Sequence, residues 1–150
     1  MSGAVMVLLL VATLPGDVYV DARDHPTPGA GIVAFGAMER ALVRGFDAIC
    51  GDTFCEGEYG NLRALQLRCA VTRDTGRVGR CLWSFAGSTA RVEGQSPLPA
   101  VDARTWACEL PVVPGTALSN LLALLSGRDA LDTPPPGTDV STYEALVECL

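Results

Sequence analysis

Residues Leu65 to Phe85 limit the fold more than any other stretch, because they describe a β-hairpin whose own cysteines face each other. Leu65-Gln66-Leu67-Arg68-Cys69-Ala70-Val71 alternates apolar and polar with a period of two. Val78 to Phe85 repeats the alternation beyond Asp74-Thr75-Gly76. A three-residue connection with glycine at its left-handed position is a standard hairpin loop. It sets Arg73 against Arg77, Cys69 against Cys81, Leu67 against Trp83 and Leu65 against Phe85. Period, apolar face and a feasible disulfide agree on this one register. Bonded cysteines there should hold their Cα atoms about 4.4–6.8 Å apart.

The remaining cysteines are Cys50, Cys55, Cys108 and Cys149. An even number in a small chain with a candidate export signal reads as a disulfide framework. Cys50 and Cys55 can close a short glycine-containing loop. By elimination Cys108 then joins Cys149. Free buried cysteines in a cytosolic protein are the alternative. Zinc has little to bind: no C-x-x-C occurs, and the only histidine, His25, stands beside Pro26.

Residues 1–22 read as a candidate signal peptide. Val5 to Leu14 is an apolar core, Pro15-Gly16 breaks it, and Val20-Asp21-Ala22 is a small-residue cleavage site before Arg23. No basic residue precedes the apolar run, which departs from the signal pattern. An uncleaved N-terminal strand through Val18 and Val20 is the competing reading. Export makes residues 23–150 a single secreted or periplasmic domain, whereas a chain without a signal is cytoplasmic. The apolar run is too short to span a bilayer as a helix.

Met38, Leu42, Phe46 and Ile49 make one apolar stripe, predicting a helix from about Phe35 to Ile49. Gly45 either weakens that helix or lets another element come close. Cys50 to Asn61, rich in glycine and acids, reads as a loop. After the hairpin, a turn at Gly87-Ser88 is expected to lead into a strand over Thr89 to Val92. A further strand is expected over Thr105 to Leu110. Thr116 is the expected N-cap of a helix carrying Leu118, Leu121, Leu122 and Leu125, with Gly127 as its stop. Asp132 to Gly137 is a proline-rich linker. Ser141 and Glu144 form a capping box for a last helix that carries Tyr143, Leu146, Val147 and Leu150. Helix, antiparallel strands and two helices in that order give an α+β fold. Its antiparallel sheet of about three to five strands packs against a helix and is stabilised by disulfides.

All eleven cationic residues are arginine, and the net charge is −6. Six arginines lie between Asn61 and Arg91 against Asp74 alone, a local +5. Elsewhere five arginines meet sixteen acids, −11. Arg68, Arg73, Arg77 and Arg80 are therefore candidate binding residues for an anionic protein or envelope component. The alternative is a solvated sheet face paired with the molecule's own acids. Nucleic acid is not an expected partner, because aromatics are few and Trp83 and Phe85 belong to the apolar face.

Catalytic signals are weak. Nucleophilic devices would all depend on His25, and no glycine-rich phosphate loop is present. Asp52, Glu56 and Glu58 form the one local acidic cluster, suited to a hard cation or to carboxylate-dependent hydrolysis. No cofactor is implied. The leading expectation is an exported binding domain without catalytic activity. The alternatives are a carboxylate-dependent hydrolase and a cation-binding loop protein.

Overall fold

A computed structural model describes residues 16–150, so the apolar run Val5 to Leu14 of the candidate signal peptide lies outside the described residues. Within them, four antiparallel strands form one sheet in sequence order: β1 (Tyr19–Asp21), β2 (Arg63–Thr72), β3 (Val78–Arg91) and β4 (Ala100–Glu109). Three α-helices complete an α+β fold: α1 (Ile32–Ile49), α2 (Leu118–Leu125) and α3 (Thr142–Cys149). None of these helices is long and apolar enough to cross a membrane.

The hairpin forms with the expected pairs at its centre, Leu67 against Trp83 and Cys69 against Cys81. Both ends slip by one residue. The loop is Arg73 to Gly76, with Gly76 at φ 63°, and Arg77 pairs with Thr72, whose N–H and hydroxyl both bond to its backbone. Arg73 therefore stands in the loop and does not face Arg77. A bulge between Cys69 and Val71 restores the central register. A second, between Ala64 and Leu67, sets Ala64 and not Leu65 against Phe85. Leu65 is consequently 50% exposed, contrary to its expected place on the apolar face opposite Phe85.

Polar side chains complete the second bulge. The Ser84 hydroxyl bridges the N–H and C=O of Gln66, and the Glu39 carboxylate accepts the Leu67 N–H at 3.0 Å. Glu39 comes from α1 and so covers the edge of β2 that the short β1 leaves unpaired.

β3 is longer than expected. It runs straight through Gly87 and Ser88, with no turn there, and pairs with β4 without a slip from Leu82–Glu109 to Arg91–Ala100. Gly87 marks a close approach: a Cβ there would lie 2.8 Å from Leu62 and 3.1 Å from Tyr59. The predicted helix positions hold better. Phe35, Met38, Leu42 and Phe46 of α1 are wholly buried. Gly45 admits another segment, since a Cβ there would lie 2.9 Å from that of Leu131. The N-cap of α2 is Ala117; Thr116 bonds instead to the carbonyl of Val113. The Ser141–Glu144 capping box of α3 forms in full. Accepting from Ser141, backbone first and hydroxyl second, holds the Glu144 carboxyl below its usual range.

The helices lie on one sheet face, over Leu67, Val71, Val78, Trp83 and Phe85. Phe46 meets Trp83 edge-on at 6.0 Å and Phe85 at 5.0 Å, so α1 and the hairpin share one aromatic centre. Three disulfides close the fold: Cys50–Cys55, Cys69–Cys81 and Cys108–Cys149. The Cys69 and Cys81 Cα atoms are 4.0 Å apart, just under the expected span. Cys81 gives its carbonyl to Leu110, so it does not bond across to Cys69. Strands approach most closely at such non-hydrogen-bonded pairs.

Tyr19 to Asp21 belong to the sheet, paired with Thr72, Val71 and Ala70. Ala22 is wholly buried. A chain cut after Ala22 would lack both.

Candidate binding surface

Pleating sends alternate residues to opposite faces of a sheet. The helices take one face, and among the described residues no element covers the other. Ser84, Ala86, Ala103, Thr105 and Ala107 line that outer face, and Leu82 stands 50% exposed on it. At its lower end is an open depression of about 490 Å³. Arg63, Leu65, Ala86, Ser88, Ala103 and Thr105 line it. Small side chains keep it shallow, and Arg63 supplies a cation at its rim. Arg63 has no ion pair among the described residues.

The four arginines singled out in the sequence do not act alike. Arg68 curls over the β2 edge to Asp21 at 3.3 Å and Glu39 at 4.0 Å. Arg80 pairs with Glu109 at 3.3 Å. Arg77 donates to the Gly115 carbonyl at 3.1 Å. Arg73 makes no ion pair among the described residues, but it borders a hollow shared with Asp21 and Asp24. Acids from β1, α1 and β4 thus offset half of the set. Arg63 is the addition that the structure makes to it.

The acidic loop is held at both ends. Cys50–Cys55 staples it, Phe54 stacks on Phe46 at 5.4 Å, and Tyr59 packs edge-on to Trp106 at 5.2 Å. Asp52, Glu56 and Glu58 all stand exposed on it. Among the described residues, no three His, Cys, Asp or Glu side chains gather closely enough to hold a metal ion.

One polar cluster escaped the sequence reading. Tyr59 donates to Asp102 at 2.6 Å, Arg104 lies 3.6 Å from the same carboxylate, and its guanidinium sits 5.2 Å over the Tyr59 ring. Burial, and then the bond to Asp102, push the Tyr59 hydroxyl up to about 12. A phenol held protonated in this way is a fixed donor and not an acid–base group at neutral pH. The only signal for it in the sequence was the alternation that places Asp102, Arg104 and Trp106 on one strand face.

No known protein family, curated protein or solved structure matches this chain.

Proposed function

We propose that this chain is an exported, disulfide-stabilised domain that works by binding an anionic partner, without catalysis. The observation that carries the reading is the uncovered outer face of the sheet, with Arg63 beside an open, mainly apolar depression. Apolar floor and unpaired cation suit an acidic segment that brings some apolar surface with it. Three disulfides support an oxidising compartment. An envelope component or a secreted acidic protein is the class of partner that this implies.

Polyglutamate serves as the acidic probe. The chain carries −6 overall, so a polyanion can be held only where charge is locally positive. Biolayer interferometry should show binding at low ionic strength that fades as salt rises, because the Debye length shrinks to ~8 Å at physiological salt. Arg63→Ala should weaken it and the paired Arg80→Ala should weaken it less. Absence of low-salt binding, or equal binding by native protein and Arg63→Ala, refutes the assignment.

A further inference from the structure

The two long edges of the sheet are treated differently. β2 is covered by β1 at Ala70, Val71 and Thr72, and beyond the end of β1 by the Glu39 carboxylate on the Leu67 N–H. β4 is bare. Its register against β3 is unbroken, and it contains neither proline nor bulge. Leu110 donates to Cys81 beyond its end, so the alternation of an antiparallel ladder assigns the even-numbered residues of β4 to β3. Val101, Ala103, Thr105 and Ala107 then point N–H and C=O outward. No hydrogen bond among the described residues reaches those groups. Val101, on this edge strand, is 69% exposed. A long, flat, unpaired edge is a template for another strand.

We propose that β4 pairs antiparallel with β4 of a second copy of this chain, about a two-fold axis at Ala103. The occupant is fixed by charge. In this register Asp102 faces Arg104 of the second copy, and Arg104 faces its Asp102. These are non-hydrogen-bonded positions, where facing side chains are closest. The four groups make an alternating cluster beside the two Tyr59 rings. Val101 bonds with Thr105 of the second copy, a β-branched pair on the outer face, and Ala103 bonds with itself across the axis. Pro99 has no N–H and ends the ladder just past Ala100. Neighbouring registers lose the match: an axis at Arg104 sets like charges together, and one at Thr105 sets Arg104 against Trp106. The interface is isologous and closes, as two-fold pairing requires. It joins the two open outer faces into one continuous sheet.

Sedimentation equilibrium over a concentration series tests this. Native protein should shift from one chain mass to two. Ala103→Pro removes an N–H that bonds nothing within the chain, so it should leave the melting temperature nearly unchanged and abolish the dimer. Asp102→Arg should weaken association about tenfold or more, through like charges. Adding Arg104→Asp to it should restore association. That exchange supports the proposal even if Ala103→Pro misfolds. A chain that stays monomeric at millimolar concentration overturns the proposal. So does a dimer that survives in a folded Ala103→Pro variant, or a double exchange that fails to recover.

Discussion

Single residues decide where stability resides, and their environments separate them clearly. Trp83 and Leu67 are wholly buried at the centre of the hairpin. Truncating either to alanine should cost about 2–5 kcal/mol by chemical denaturation. Arg68→Ala should cost no more than about 1 kcal/mol, because Arg68 and its partner carboxylates stay partly exposed to solvent. Equal losses would overturn the assignment of faces. Tyr59 gives a pH signature. Its hydroxyl is raised in the folded chain, so its contribution is complete below its ordinary value of 10.0 and vanishes as pH climbs through about 12. Alkaline absorbance titration should show one tyrosine ionising late, and Tyr59→Phe should remove that step. The buried set was legible in the sequence because alternation and a cysteine pair fixed the same register. The partners of Arg68 and Arg80 were not. Asp21, Glu39 and Glu109 lie on other elements, and only packing brings them within 4.0 Å.

Elements were read correctly where a periodic pattern ran long, and misread where glycine carried two meanings. Gly87-Ser88 has the composition of a turn, yet β3 runs through it, because Gly87 makes room for Leu62 and Tyr59. The bulges left no composition signal. The one between Ala64 and Leu67 depends on Ser84 and Glu39 supplying bonds to backbone groups that the ladder abandons. At the other end of the chain, the capping box of α3 was plain from Ser141 and Glu144 alone. Ser141→Ala should cost about 1 kcal/mol. The Glu144 share of stability is present above its ordinary value of 4.5, and falls away as pH drops through its lowered folded value. Thermal melts of native protein and Ser141→Ala should therefore converge in acid. β1 offers a sharper test of element boundaries. A chain beginning at Arg23 loses three paired residues and the Ala22 side chain. It should melt several degrees below one beginning at Gly16, at about 2–4 °C per kcal/mol for a chain of this size. Equal melting temperatures would show that β1 adds nothing.

At the scale of the molecule, Cys108–Cys149 ties α3 to the sheet, Cys69–Cys81 joins two of its strands and Cys50–Cys55 closes the loop after α1, and among the described residues no element covers the other sheet face. The class of fold could be read from element order. That a whole face stands open could not, since alternation alone says which residues share a face and not what lies upon it. The same gap hid the depression beside Arg63 and drew attention to hairpin arginines of which the fold pairs two, Arg68 and Arg80, with acids. This open face is the proposed binding surface. Amide chemical-shift mapping during a polyglutamate titration tests it most directly. Shifts should gather at Arg63, Leu65, Ala86, Ala103 and Thr105 and weaken with salt, while Asp52, Glu56 and Glu58 stay unchanged. Shifts confined to the acidic loop, or to the helical face, would contradict it.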